Sequence, residues 1–477
     1  MHDCNHQFTP STWRETNNMT LYNIVEEATE NYEAIKPVIE RLRASGIKKE
    51  LLMRNASNIV VMYPSKQDLD TFDSTKSGSL KFHGLNTLYV HIPFCTSICS
   101  YCDFARTASA SNDTRIVKYL ELLAREVSLL ASLHGAKIPV VSIYIGGGTP
   151  TLLSESSMQR LFDIIINNFT LISGGEFTLE GSPETVSVNK IMLAKTYGVN
   201  RISLGAESFN DNILSSMRRT TDSKGILKAI NNVRTAGIRH IDIDLIRGYP
   251  GYTVESVLSD LDGVRIADTP SVTSYQYAVK PKAIDKKRFS NMKLVDDQQT
   301  FLHILFLTGM KRLGYQHQSP LVDWFVKGQN SEYKQQLQKW LDMVNLIGIG
   351  VGSYGYVNGL QYINFEKYSD YERSILSDHI PIDKASELTK NEIMHRRMIF
   401  GLKGYVDREQ FKLAYGVDVL EAPFKYTLHN LIEAGGIDLT KNAVRLSDAG
   451  MLFADWIQME FYSDFYKHRE MKRTKTP

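Results

Sequence analysis

Three of the four cysteines lie within eight positions, in the segment YVHIPFCTSICSYCDF. Cys95, Cys99 and Cys102 form a C-x3-C-x2-C array directly after an apolar run that predicts a strand. Structural zinc sites take four Cys or His ligands, whereas an iron–sulfur cubane held by three thiolates keeps one iron open. The array therefore favours a [4Fe-4S] cluster. Two other interpretations stay open: a zinc site completed by His91, and small cysteines that simply pack in a core.

Further polar residues and glycines stand where predicted strands end. The segment GGGTP, Gly146 to Pro150, follows the second strand, and Glu180 ends the third. Glycines let a backbone approach a ligand closely, although a turn before a helix also favours Gly and Pro. Asp242 and Asp244 alternate with isoleucines, which places both on one face of a strand. Acids on such a face need a partner, whereas a solvated loop would explain Glu180 alone.

The elements that position these residues follow a β/α rhythm from Asn86 onward. Short apolar runs alternate with amphipathic helices, which is typical of parallel strands joined by helical crossovers. Six strands are predicted: Thr87 to Ile92, Val140 to Ile145, Glu176 to Gly181, Arg201 to Ala206, His240 to Ile246 and Val272 to Tyr277. The fold class is α/β, with the six units in a partial barrel or a doubly wound sheet. In both architectures the chemistry belongs at the C-terminal ends of the strands.

Composition limits the partners and the compartment. Lysine plus arginine number 55 and aspartate plus glutamate 53, for a formal charge of +2, so no long-range attraction to nucleic acid or anionic lipid is expected. No run reaches the length of a membrane-spanning helix, and the polar start does not have the pattern of a signal peptide. We expect a cytoplasmic protein with a small-molecule substrate and no nucleic-acid or membrane partner.

The chain divides into four predicted regions. Residues 1–80 form an N-terminal extension, 81–290 the core barrel, 291–384 a connecting region that completes the barrel, and 385–477 a small, mostly helical C-terminal domain. In that domain Thr389 and Glu392 predict a capping box at the start of a helix. We expect the extension to wrap over the mouth of the barrel, where it would exclude water.

The spacing C-x3-C-x-aromatic-C, with Tyr101 as the aromatic residue, resembles the defining motif of radical S-adenosylmethionine (SAM) enzymes. The resemblance implies that Cys95, Cys99 and Cys102 ligate three irons and that SAM caps the fourth. One electron from the reduced cluster then cleaves SAM to a 5′-deoxyadenosyl radical. It also implies an electron donor such as flavodoxin or ferredoxin.

The same resemblance implies a set of SAM contacts. The glycine segment aligns with the part of the family that meets the amino group of SAM, and Glu180 with a ligand of its ribose or amino group. Arg218 matches an arginine on the SAM carboxylate, although Arg219 makes this assignment ambiguous. Tyr89 and His91 fall where relatives place residues beside SAM and the cluster. The implied cofactor-binding residues are Tyr101, Gly146, Gly147, Gly148, Thr149, Glu180, Glu207, Arg218 and Asp244, with Tyr89 in a catalytic position.

Residues 86 to about 465 resemble the oxygen-independent coproporphyrinogen III oxidase (HemN/HemW-like) family. That family includes decarboxylases, haem chaperones, and methyltransferases or cyclopropanases with two SAM molecules. Asp103 and Phe104 depart from the x-Cys that follows the third cysteine in the decarboxylases. The N-terminal extension and the segment SYQYAVKPKAI favour the methyl- or methylene-transferring branch, acting on an unsaturated small molecule.

This interpretation predicts a second SAM beside the Gly348 to Gly355 segment, which could equally be a tight turn. A coproporphyrinogen oxidase-like enzyme or a haem chaperone is the alternative. For a chaperone, exposed His317 or His395 would be candidate haem ligands. A degenerate SAM-binding regulator is disfavoured, because all three cysteines are present. We expect a monomer.

Overall fold

The computed structural model describes residues 18–47, 62–73, 80, 82–280, 282–289, 296–319, 323–328 and 338–467. Cys4 and most of the segment joining the first helix to the barrel lie outside these residues. Within them, the fold centres on one 13-stranded sheet with helices packed against it.

The strands of the large sheet are β1 (Asp70–Thr71), β2 (Asn86–Ile92), β5 (Ile138–Gly147), β6 (Phe169–Gly181), β7 (Arg201–Glu207), β8 (His240–Arg247), β9 (Ser271–Gln276), β10 (Gln316–Ser319), β11 (Asp323–Val326), β12 (Asn345–Ile349), β13 (Tyr354–Val357), β14 (Leu360–Asn364) and β15 (Ile382–Glu387). Their order is β1-β15-β14-β13-β12-β2-β5-β6-β7-β8-β9-β11-β10. Two short strands, β3 (Phe94–Cys95) and β4 (Thr107–Ala108), pair beside it.

The helices of the first 320 residues are α1 (Asn18–Ala44), α2 (Thr114–His134), α3 (Glu155–Asn168), α4 (Val188–Thr196), α5 (Asp211–Ser216), α6 (Ser223–Thr235), α7 (Val254–Ala267), α8 (Asp285–Phe289) and α9 (Asp296–Arg312). Beyond them lie α10 (Tyr368–Leu376), α11 (Lys390–Gly401), α12 (Arg408–Tyr415), α13 (Lys425–Glu433), α14 (Asp448–Met451) and α15 (Ala454–Met459). None of the helices within the described ranges is long and apolar enough to cross a membrane.

The six predicted strands are all present, as β2 and β5 to β9, and they pair in parallel. Their interior residues are almost entirely buried, which explains the continuous apolar runs in the sequence. A seventh parallel strand, β12, pairs with β2 on its other edge. The sequence predicts no strand there. Residues Asn345–Ile349 nevertheless form a fully buried strand that includes Gly348.

The sheet is curled, which confirms a partial barrel within an α/β fold. Tyr89 of β2 and Tyr144 of β5 pack in one cluster with Trp324 and Val326 of β11, far along the sheet order. These side chains can meet only if the two parts of the sheet face each other. The strands at its two ends, β1 and β10, are not hydrogen-bonded to each other among the described residues, so no closed barrel forms.

The N-terminal helix lies on the outside of the molecule. Helix α1 packs along α9, where Tyr32 meets Phe301 edge to face and Arg43 pairs with Asp297 at 2.9 Å. Because α9 itself packs on helix α7, these contacts place α1 against the helical layer. The expectation of a cover over the barrel mouth stays a prediction.

Up to residue 467, where the described part ends, the C-terminal region combines five helices with a small antiparallel sheet that we did not predict. Its strands are β16 (Val406–Asp407), β18 (Ala443–Leu446) and β17 (Ile437–Leu439). Thr389 caps α11 by accepting a hydrogen bond from the Glu392 amide at 3.2 Å, as expected. The Glu392 side chain instead accepts from Tyr63. The large sheet continues through β15 to Glu387, two residues past the predicted start of this region.

Candidate active site

The cysteine loop leaves the C-terminal end of β2 and is held by backbone hydrogen bonds. Cys95 lies in β3, and its carbonyl oxygen accepts from the Ser109 amide at 2.9 Å. The amide of Ser100, between the second and third cysteines, donates to the Met217 carbonyl oxygen at 3.1 Å. The side chains of Cys95, Cys99 and Cys102 are all unpaired thiols in partly buried positions. The chain thus presents three sulfur ligands on one anchored loop.

A network of buried hydrogen bonds holds the cysteine loop in place. The Ser100 hydroxyl lies 3.1 Å from Asp285 Oδ2 and 3.0 Å from the Tyr249 hydroxyl. The Asp285 amide donates to the Ser100 carbonyl oxygen at 2.9 Å. Arg288 donates to the other oxygen of Asp285 at 3.0 Å. Ser100 and Asp285 are fully buried, so the network is shielded from water.

The three thiols suit a cluster better than a single ion. No set of three ligating side chains among the described residues is arranged to hold one metal ion. In a cubane each cysteine binds a different iron, so its ligands need not converge on one point. Burial raises the pKa of the Cys102 thiol to about 12 and also raises the pKa of Cys95. The donor set fits a [4Fe-4S] cluster whose binding replaces the thiol protons.

His91 is poorly placed to complete a zinc site. Its Nε2 lies 2.8 Å from the Ala105 carbonyl oxygen, and its Nδ1 lies 3.0 Å from the Tyr89 hydroxyl. Both ring nitrogens therefore have protein partners, and burial lowers the pKa of the imidazole. These contacts make His91 a neutral residue that braces the loop at Ala105 rather than a fourth metal ligand.

Arg219, rather than Arg218, lies at the cysteine loop. Its guanidinium donates to Cys99 Sγ at 3.6 Å, to Gly205 O at 2.8 Å and to Ser182 Oγ at 3.0 Å. Its Nε is buried and has no partner within the described residues. Arg218 is exposed. The sequence left these neighbours ambiguous, and the structure brings Arg219 to the site.

The glycine segment packs directly on the start of the cysteine loop. Gly148 N donates to Ile92 O and Thr149 N to Phe94 O, both at 2.7 Å. Gly147 has a φ of 108°, and a Cβ there would lie 2.4 Å from the His91 ring. A Cβ on Gly146 would meet the Glu180 carboxylate at 2.6 Å. The glycines are thus required by close packing among the predicted site residues themselves.

Three carboxylates line the concave face beside this segment. Glu180 accepts from the Tyr144 hydroxyl at 2.6 Å and from Gly147 N at 3.0 Å, and Asp244 accepts from Ser203 at 2.8 Å. Burial is the main cause that raises the pKa of Glu180, Glu207 and Asp244. Asp242, on the same strand as Asp244, is instead paired with Arg201 at 3.1 Å.

Glu207 joins the carboxylates to the cysteine loop. It has a φ of 67° and follows an irregularity in the pairing of β7 with β8. Arg219 and Tyr101 both lie close enough to favour its ionised form. Burial, followed by the charge of Glu207, raises the pKa of Tyr101 well above its usual value. The structure thus brings together Tyr101, Glu207, Arg219 and the cysteines.

The Gly348 to Gly355 segment is filled by protein groups. A Cβ on Gly350 would lie 2.5 Å from the Tyr119 hydroxyl, and one on Gly355 would lie 2.2 Å from the Tyr362 ring. Buried Glu126 accepts from Gly350 N at 2.8 Å. The segment comprises the end of β12, the turn that follows it and the start of β13. It therefore agrees with the tight turn that the sequence analysis gives as the alternative to a SAM site. These contacts do not support a second SAM pocket there.

We expected the two candidate haem ligands, His317 and His395, to be exposed, but neither of them is. His395 is buried, with Nδ1 2.7 Å from the Phe461 carbonyl oxygen. His317 stacks on Phe325, and its Nε2 lies 2.9 Å from Asp323 Oδ1. Asp323 also meets His303 Nε2 at 2.8 Å and Arg247. Both predicted ligands are held in protein contacts.

Comparison with known proteins decides the family. The model of the radical SAM superfamily matches residues 89–262. The heme chaperone HemW of Lactococcus lactis is 30% identical over 321 residues, which cover 67% of this chain and 81% of that protein. The chain belongs to the radical SAM family that contains HemW. HemW of Bacillus subtilis is 29% identical and is covered over 97% of its length, against 78% of this chain.

The oxygen-independent coproporphyrinogen III oxidases of this family are also similar. The Helicobacter pylori protein is 25% identical over 79% of this chain and 85% of its own length. The solved structure of Escherichia coli coproporphyrinogen III oxidase (HemN) has a TM-score of 0.74 at 22% identity and covers 84% of this chain and 96% of that one, which shows a shared fold. These relatives give no support to the methyl-transferring interpretation.

Proposed function

We propose that this radical SAM enzyme holds a [4Fe-4S] cluster on Cys95, Cys99 and Cys102 and binds SAM beside it. When bound, the cluster and SAM supply one electron and a 5′-deoxyadenosyl radical. The observation that carries the proposal is the partly buried three-thiol loop with Arg219 in contact with Cys99. Three thiols would ligate three of the four irons of a [4Fe-4S] cluster and leave the fourth iron for SAM.

The chain's own residues then bind and orient SAM. The guanidinium of Arg219 has a buried Nε without a hydrogen-bond partner among the described residues, which suits the SAM carboxylate. Glu180, Glu207 and Asp244 offer acceptors for the ribose hydroxyls and the amino group. Tyr101 and Arg219 lie beside Glu207, and Gly147 fixes Glu180 through its amide. The glycine segment permits close approach to the loop.

We further propose that the physiological ligand is haem, as the name of HemW states for that protein. Two observations support this choice over decarboxylation. The chain matches Bacillus subtilis HemW over nearly all of that protein's length. Asp103 and Phe104 stand where the decarboxylases place x-Cys, which removes a cysteine next to the cluster. A cytoplasmic location and a flavodoxin or ferredoxin as electron donor accompany this proposal.

A single reconstitution experiment separates the possibilities. The protein is loaded with iron and sulfide without oxygen, reduced, and supplied with SAM, haem or coproporphyrinogen III. Stoichiometric haem binding with little SAM consumption supports the chaperone. SAM-dependent decarboxylation of coproporphyrinogen III would instead support an oxidase. Formation of S-adenosylhomocysteine together with 5′-deoxyadenosine would support a methyl-transferring enzyme. A Cys99→Ser variant is the control for each reading.

A further inference from the structure

The concave face of the sheet carries opposite charges on its two sides. Glu180, Glu207 and Asp244 lie on the neighbouring strands β6, β7 and β8. Toward β13 and the C-terminal helices three cations are buried, Lys339, Arg396 and Lys403, of which Lys403 has Asp455 as an opposing charge. SAM carries a sulfonium and an ammonium group, so the acidic side suits it. The basic side is then left for a group of opposite charge.

Lys339 is the cation whose surroundings are most unusual. Only 8% of the residue is exposed, and its Nζ lies 3.3 Å from the Tyr354 hydroxyl and 4.5 Å from the centre of the Trp340 ring. No ion pair joins it to a carboxylate within the described residues, and the charge that acts on it is that of Arg396. Burial, followed by Arg396, lowers the pKa of Lys339 to about 7.

Two further cations lie near Lys339. Lys403 Nζ lies 4.1 Å from the centre of the Trp340 ring, on which Lys339 also rests, and the charge of Asp455 opposes that of Lys403. Arg396 stacks on Tyr356 at 3.8 Å, and the acceptors of its hydrogen bonds within the described residues are the neutral oxygens of Tyr63 and Gln361. Buried charges are normally paired, because taking an ion out of water is costly. Lys339 and Arg396, which form no ion pair with a carboxylate within the described residues, therefore indicate an anion that binds there.

A continuous row of tyrosines joins Lys339 to the cysteine loop. The Tyr354 ring lies 6.3 Å from the Tyr89 ring, and both side chains are half-buried. Tyr89 lies 6.1 Å from the ring of Tyr144, the partner of Glu180, and its hydroxyl meets His91. Lys339 thus borders the same partly open face as the predicted SAM contacts.

We propose that Lys339 binds an anionic group, a carboxylate or a phosphate, on the ligand that occupies the concave face opposite SAM. The ammonium group has three donors, of which one is directed to Tyr354, and the Tyr354 hydroxyl can itself donate. The Trp340 ring packs against the ammonium group. Lys339 is therefore a specificity-determining residue of the family reaction. The assignment rests on the proposed function only in that it places this ligand and SAM on the same face.

The test compares wild-type protein, Lys339→Gln and Lys327→Gln, each with the cluster loaded. Lys327 is the matched control, because its Nζ also lies over a tyrosine ring, at 5.6 Å, but it is exposed and paired with Asp268. Each protein is titrated with haem and with haem dimethyl ester, in which both carboxylates are masked. The wild type and Lys327→Gln should bind haem about 10- to 100-fold more tightly than the ester, as one charge-assisted hydrogen bond provides. Lys339→Gln should bind the two equally.

A second experiment tests the anion site at Lys339 independently of whether the ligand is haem. Citrate and inorganic phosphate are added to the same three proteins, and the melting temperature is followed. If haem binds none of them while the two anions stabilise wild type and not Lys339→Gln, the haem proposal fails and the anion site stands. If Lys339→Gln prefers haem over its ester, or gains as much stability from the anions as the wild type, the anion site is refuted. Should Lys339→Gln not fold, Lys339→Met keeps an unbranched side chain and removes the charge, and a preference for haem as large as that of the wild type contradicts the inference.

Discussion

Ser100 and Asp285, far apart in sequence, are joined by two hydrogen bonds that fasten the cysteine loop to helix α8. The Asp285 amide donates to the Ser100 carbonyl oxygen at 2.9 Å, and the Ser100 hydroxyl donates to Asp285 Oδ2 at 3.1 Å. Because Ser100 lies between Cys99 and Cys102, the segment after the sixth parallel strand sets the position of two cluster ligands.

Asp285→Ala is expected to loosen the cluster. The variant leaves Ser100 and Arg288 without their buried acceptor, which costs roughly 2–4 kcal/mol. We expect lower iron content and faster loss of iron to a chelator, measured by absorbance, together with a lower urea midpoint of the cluster-free protein. Asp262→Ala is the control, since Asp262 pairs with Arg265 on the surface. Equal iron retention in the two variants contradicts this role.

Arg219 and Arg218 provide a matched pair for SAM binding. Arg219→Gln removes the guanidinium beside Cys99 and should weaken SAM binding by about 10-fold or more, the effect of one charged hydrogen-bond partner. Arg218→Gln changes an exposed residue and should bind SAM as the wild type does. Equilibrium binding of SAM to the loaded proteins measures both. If Arg218→Gln weakened SAM binding and Arg219→Gln did not, Arg218 would be the residue that binds the SAM carboxylate, as the sequence resemblance implies.

Gly147 is expected to tolerate no side chain. Gly147→Ala forces a residue with φ of 108° to carry a Cβ 2.4 Å from the His91 ring, so the strand end or the histidine must move. We expect a loss of roughly 2 kcal/mol or more in unfolding free energy, and weaker SAM binding. Gly174→Ala is the control, because Gly174 also has a positive φ, 75°, but a Cβ added there would meet no atom within 4 Å. Equal losses in the two variants would show that backbone strain alone accounts for the effect.

Glu126 should give stability a measurable pH dependence. Burial raises the pKa of Glu126 from 4.5 to about 7 in the folded protein. The folded state therefore holds this proton up to higher pH than the unfolded state, and stability falls as pH rises from about 4.5 to about 7, by roughly 3 kcal/mol from this group. Urea unfolding of wild type and Glu126→Gln across that range should show a shallower decline in the variant. Parallel profiles would contradict the shifted pKa.

The sequence indicated the parallel strands and the cysteine ligands because both are local patterns. Buried parallel strands are apolar throughout, and three cysteines in eight positions are visible without a fold. Asp285 and Lys339 could not be found in this way, since their significance lies in contacts with residues distant in sequence. The choice between Arg218 and Arg219 also depended on the chain's path after α5, which gives Arg218 a positive φ and directs Arg219 to Cys99. Strand β12 was missed because Gly348, a residue type that suggests a turn, lies within the strand, where it allows close contact with the Tyr354 backbone.

We propose that Cys95, Cys99 and Cys102 hold a cluster that cleaves SAM. The direct measurement is iron, sulfide and 5′-deoxyadenosine in anaerobically reconstituted, reduced protein, compared with alanine variants of Cys95, Cys99 and Cys102. About four irons per chain, with 5′-deoxyadenosine formed only when all three thiols are present, is the predicted result. Zinc in place of iron, or SAM cleavage that persists without the cysteines, would contradict it.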